Sequence, residues 1–73
     1  MAAPHSFLTI VINGKAQTVA PGSSLASVLA PLLQTGKRLA VERNGAIVPR
    51  SAYAQTVLQA GDQLEIVTAV GGG

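Results

Sequence analysis

The chain has 73 residues, 48% of them hydrophobic and only 11% charged, with a net charge of +2 and no cysteine. That length makes one domain at most, with a modest core. The missing thiols exclude disulfide scaffolds, thiolate metal sites and persulfide chemistry on a side chain. A sequence pI of about 9.7 reflects scarce acids more than abundant bases.

Lys37-Arg38 is the one basic pair, and Phe7 and Tyr53 are the two aromatics. A nucleic-acid surface needs a clustered basic stripe and, for single strands, stacking platforms, so no nucleic-acid partner is expected. One histidine and three acids make an internal metal site an unpromising expectation. No apolar run approaches the roughly 18 residues of a membrane-spanning helix, and the first six residues lack the basic start and long apolar run of a signal peptide. We expect no membrane association and a cytoplasmic location. Residues 1–6, with a solvated His5, read as a flexible N-terminal segment.

From Phe7 the chain turns apolar and β-branched, with Leu8, Ile10 and Ile12 on one face by period-two alternation. Asn13-Gly14 then signals a type I′ hairpin, because that turn needs positive φ at both central residues. Ala16–Ala20 is the returning strand, closed by Pro21-Gly22. Ser23-Ser24 offers an N-cap, and Leu25, Val28, Leu29 and Leu32 form one helical stripe. Pro31 interrupts it, so a short or kinked helix is expected over about 24–33, stopping before Gly36.

Arg38–Glu42 reads as a third strand with Leu39 and Val41 inward. Asn44-Gly45 repeats the hairpin signal, Ile47-Val48 is a short return, and Arg50–Gln55 reads as a loop or a helical turn. Both Asn-Gly pairs are taken as turns and nothing more. Gly61-Asp62 is another turn. Leu64–Val70 is the last strand, with Leu64 and Ile66 on one face and Glu65, Val67 and Ala69 on the other. A hairpin, a helix and then more strands give an α+β domain over residues 7–70, a β-grasp or ubiquitin-like roll. It is a mixed sheet of four to five strands packed on one main helix, with the first and last strands parallel at its centre.

The sequence closes on Gly71-Gly72-Gly73. Glycine offers nothing to a core and is costly to order, so the tail reads either as a frayed end or as a flexible, reactive segment. Fully extended, three residues reach on the order of 10 Å, enough to carry a terminal carboxylate into a narrow channel of another protein. Val11, Val67 and Ala69 face away from the helix side and read as an apolar docking patch, with Val70 leading into the tail. Arg43 and Arg50 are either docking contacts or solvated cations, and Tyr53 is a packing residue with a wet hydroxyl.

Several segments together carry a family resemblance: Val41-Glu42-Arg43-Asn44-Gly45, Ile47-Val48-Pro49-Arg50, Tyr53-Ala54, Gly61 through Val67 and Val70-Gly71-Gly72-Gly73. The chain from about residue 7 to 73 resembles the ThiS family, the sulfur carriers of thiamine biosynthesis. Pro31 and the residues before Phe7 depart from that pattern. The resemblance implies that the Gly73 carboxylate is adenylated with ATP by a separate, E1-like adenylating enzyme and then converted to a thiocarboxylate with sulfur from a donor protein. It implies that Gly71 and Gly72 thread the tail into its partners and that thiazole synthase receives the sulfur. The chain would then be a protein co-substrate and not an enzyme, monomeric when alone, with no bound cofactor. Consistent with that, it has no Ser/His/Asp or paired-carboxylate constellation and no Gly-x-x-x-x-Gly-Lys phosphate loop. A carrier for molybdopterin or cysteine synthesis and a β-grasp interaction module with a passive tail are the alternatives.

Overall fold

A computed structural model describes residues 7–69. Five strands and one α-helix follow the order β1 (Leu8–Ile12), β2 (Lys15–Val19), α1 (Leu25–Leu33), β3 (Arg38–Arg43), β4 (Ala46–Ile47) and β5 (Gln63–Ala69), with a 3-10 helix over Arg50–Gln55 between the last two strands. The strands form one mixed sheet in the order β2-β1-β5-β3-β4. β5 is therefore central, parallel to β1 and antiparallel to β3.

Local chemistry accounts for each element. Asn13 (φ 50°) and Gly14 (φ 83°), like Asn44 (φ 53°) and Gly45 (φ 87°), hold the two positive-φ positions that tight hairpins require. Ser24 caps α1 by accepting the Ser27 N–H at 3.1 Å. The helix keeps nine residues with Pro31 inside it, as expected for a helix held by its apolar stripe more than by its propensity. The segment after the 3-10 helix is tied to the start of α1 by Leu25 N–H to Thr56 O (2.8 Å) and Leu58 N–H to Ser23 O (2.9 Å).

The core lies between α1 and one face of the sheet. Ile10, Val41, Leu64 and Ile66 come from the strands, Leu25 and Leu29 from the helix, and Tyr53 and Leu58 from the connection that closes one end. Each fully buried aliphatic side chain contributes about 1.5–3 kcal/mol relative to exposure. Period-two alternation leaves the opposite sheet face uncovered, with Val67 and Ile47 at 63% and 70% exposure. Val57 forms an isolated bridge to Ser24 and is followed by a buried Leu58.

Candidate functional site

The site is the end of β5. Register places Ala69 opposite Arg38 and Val67 opposite Ala40, so the strand leaves the sheet beside the start of β3. Gly71, Gly72, Gly73 and Val70 lie outside the described residues, as does the 1–6 segment. What the structure does define is the platform from which they start.

That platform is built by the two Asn-Gly turns, which do more than turn the chain. The backbone ladder between β1 and β5 comprises Val11 with Gln63 and Ile12 with Leu64. Asn13 then extends it with its side chain. Its Nδ2 donates to Ile66 O at 3.0 Å, its Oδ1 accepts the Ile66 N–H at 2.8 Å, and its backbone N–H donates to Leu64 O at 2.9 Å. A side-chain amide has the same donor and acceptor pair as a backbone residue, so Asn13 acts as one more rung.

Asn44 grips the other edge of β5 at its start. Its Oδ1 accepts the Gln63 N–H at 2.9 Å and its backbone N–H donates to Gln63 O at 2.8 Å. Past Ile66, β5 is paired among the described residues with β3 alone. The strand is clamped on two sides up to Ile66 and on one side over its last three residues.

Asp62, read in the sequence only as part of a turn, is the structural anchor of this arrangement. It is 5% exposed. Its Oδ2 accepts Arg43 Nε at 2.9 Å and the Gln59 N–H at 2.9 Å, and its Oδ1 accepts Asn44 Nδ2 at 3.0 Å. Burial, the largest single influence, pushes the carboxyl pKa up. The Gln59 N–H, the Asn44 amide and the Arg43 guanidinium together outweigh it and hold Asp62 below the usual carboxylate range. The one available signal was that this chain has only three acids, one of them directly after a turn glycine.

The expected docking residues are distributed differently. Val67 and Ala69 lie together with Ala40 on the uncovered face at the strand end. Val11 shares the face but is in register with Gln63, four residues and roughly 13 Å from Val67. Val67, Ala69 and Ala40 cluster at the strand end, and Val11 lies on the same face toward the start of β5. The parallel register is the reason, since it sets β1 against the start of β5. Arg43 is turned to Asp62 and also donates to Val57 O at 3.4 Å. It stands opposite Leu64, about 17 Å along β5 from Ala69. Tyr53 packs in the core, as expected.

Among the described residues no cluster of three or more His, Cys, Asp or Glu side chains is placed to hold a metal, and no helix is long and apolar enough to cross a membrane. What the described residues supply is a central strand, held on both sides up to Ile66, that ends at Ala69 beside an exposed apolar face.

A five-stranded mixed sheet folded over one helix, with parallel first and last strands at its centre, defines the β-grasp class of ubiquitin-like proteins. The crystal structure of the thiamine biosynthesis protein ThiS from Geobacter metallireducens superposes with a TM-score of 0.72 at 31% identity, covering 90% of this chain and all of that one. The sulfur carrier protein ThiS of Escherichia coli is 33% identical over 66 residues, 90% of this chain and 100% of the relative. The ThiS family model matches residues 10–73, and the chain belongs to the ThiS family. A thiazole synthase of Paramagnetospirillum magneticum is 41% identical over 66 residues. The matched stretch covers 90% of this chain and 20% of that relative's length.

Proposed function

We propose that this chain is a sulfur carrier of thiamine biosynthesis and that Gly73 bears the sulfur. Membership of the ThiS family, with a match that runs to Gly73 itself, is the observation that carries the reading. The Gly73 carboxylate oxygen attacks the α-phosphate of ATP on an adenylating enzyme and pyrophosphate leaves. Sulfide delivered by a donor protein then attacks the acyl carbon, AMP leaves, and a thiocarboxylate remains. A carboxylate is a poor acyl donor until its oxygen becomes a good leaving group, so activation splits one difficult step into two easier ones. ATP is bound by the partner, and the carrier is a co-substrate that supplies no acid or base.

The platform suits this task. Clamping of β5 by Asn13 and Asn44 fixes where the tail starts, while Val67 and Ala69 offer an apolar face for docking beside it. Gly71 and Gly72 have no side chains to obstruct a narrow channel. The likeness to a thiazole synthase, of which the matched stretch covers a fifth, supports thiazole synthase as the acceptor. The carrier acts in the cytoplasm and visits its partners as a monomer.

The test is an intact-mass spectrum after incubation with the host's adenylating enzyme, ATP and a sulfide source. A gain equal to one oxygen replaced by sulfur, localised to Gly73, is expected. A variant carrying one extra residue after Gly73 should bind the enzyme and gain nothing. Sulfur uptake by that extended chain, or no uptake by the wild type with an active enzyme, overturns the reading.

A further inference from the structure

A cavity of about 250 Å³ opens beside the same end of the sheet, lined by Leu33, Arg38, Leu39, Arg50 and Tyr53. It lies between the last turn of α1, the start of β3 and the 3-10 helix. Leu33 and Leu39 give it apolar walls. Tyr53 is only 4% exposed, and its hydroxyl has no hydrogen-bond partner among the described residues. Among the described residues no buried side-chain oxygen or nitrogen is left unsatisfied, so that hydroxyl reaches solvent, and Tyr53 lines the cavity.

The two arginines are equally uncommitted. Among the described residues the ion pair is Arg43 with Asp62, and neither Arg38 nor Arg50 has an ion pair or a side-chain hydrogen bond. The chain's other acids, Glu42 and Glu65, stand opposite each other on the uncovered face. An apolar-walled cavity with the Arg50 cation and the Tyr53 phenol on its lining, and Arg38 beside it at the start of β3, is complementary to a carboxylate on a short apolar stem.

Resting on the function proposed above, we propose that this cavity receives an Asp or Glu side chain of the adenylating enzyme that engages Gly73. The position of the cavity favours a protein-borne carboxylate over a free small acid. Arg38 and Leu39 are in register with Ala69 and Thr68, and the four residues beyond Ala69 reach at most about 14 Å. A protein that holds Gly73 therefore abuts this end of the domain.

The experiment compares wild type, Arg50→Gln, Arg50→Lys and Tyr53→Phe by calorimetric titration into the purified adenylating enzyme of the same host, with thermal unfolding of each variant in parallel. Arg50→Gln should weaken binding about tenfold, Arg50→Lys should recover part of the loss, and Tyr53→Phe should cost about two- to fivefold. Tyr53→Phe should leave Tm unchanged, because its hydroxyl has no internal partner. The wild type is carried through the mass assay at the same time. If it gains sulfur while both Arg50→Gln and Tyr53→Phe bind like wild type, the cavity assignment is wrong and the carrier function stands. If the wild type neither binds nor gains sulfur, both fall. A third arm titrates 3-phenylpropionate, with its amide as the uncharged control, into the free chain by amide NMR. Saturable shifts at Leu33 and Tyr53 that Arg50→Gln abolishes, with partner affinity unaffected, would assign the cavity to a free small acid and overturn the partner assignment.

Discussion

Replacing Asn13 by glycine isolates the side-chain rung that holds β5. Glycine accepts the φ of 50° at this position without strain, so the perturbation is the loss of two hydrogen bonds to Ile66, at 3.0 and 2.8 Å. Each is worth about 0.5–1.5 kcal/mol net, giving a loss of roughly 1–3 kcal/mol. In a domain this small, 1 kcal/mol moves Tm by about 4–8 °C, so a central value of ~2 kcal/mol lowers it by about 8–16 °C. Asn13→Ala loses the same bonds and, unlike Asn13→Gly, keeps a Cβ in the left-handed region, so it should be less stable than the glycine variant by about 1–2 kcal/mol. Urea unfolding gives the free energies, and native-state hydrogen exchange gives the location. Leu64 O and the Ile66 backbone groups point to the β1 side of β5, whereas Gln63 O points to β3. Alternation therefore directs the Glu65 and Val67 amides to β3. The Ile66 amide should lose more protection than those two. Asn13→Gly within about 0.5 kcal/mol of wild type, with Ile66 protection unchanged, would refute the idea that this amide completes the ladder.

Four further outcomes are expected. Asp62 has a folded-state pKa below its unfolded value of about 3.9, so its contribution is present above pH ~4 and is lost as pH falls through the folded pKa; in acid titrations of stability, Asp62→Asn should flatten that limb. Asp62→Ala should cost about 2–4 kcal/mol at neutral pH by stranding Arg43 and the Gln59 N–H, measured by denaturant unfolding. Glu42 and Glu65 are direct cross-strand neighbours on the uncovered face, so Glu65→Lys should stabilise by about 0.2–1 kcal/mol, an effect that added salt diminishes. Val67→Glu places a charge on the exposed strand end, and calorimetry should show weaker binding to the adenylating enzyme with Tm within a few degrees of wild type; a large Tm loss with unchanged affinity would mean the docking face lies elsewhere.

Most of the element order was legible in the sequence because its causes are local. Asn13-Gly14 and Asn44-Gly45 demand positive φ, Leu64 and Ile66 recur with period two, and Ser24 stands where a helix needs a cap. These signals act within four residues, so reading along the chain finds them. The terminal glycines and the apolar strand before them were likewise visible as composition.

The tertiary structure decided which residues meet. Asn13 and Ile66 are 53 positions apart, and nothing local distinguishes an asparagine that merely turns from one that also completes a distant ladder. Asp62 became a buried anchor because β3 and β5 pair in the register that sets Arg43 opposite Leu64. Val11 was separated from Val67 for the same kind of reason: face follows from period-two alternation within one strand, whereas position along the face follows from the register between strands. That register is set by long-range burial, which a single strand's sequence does not specify.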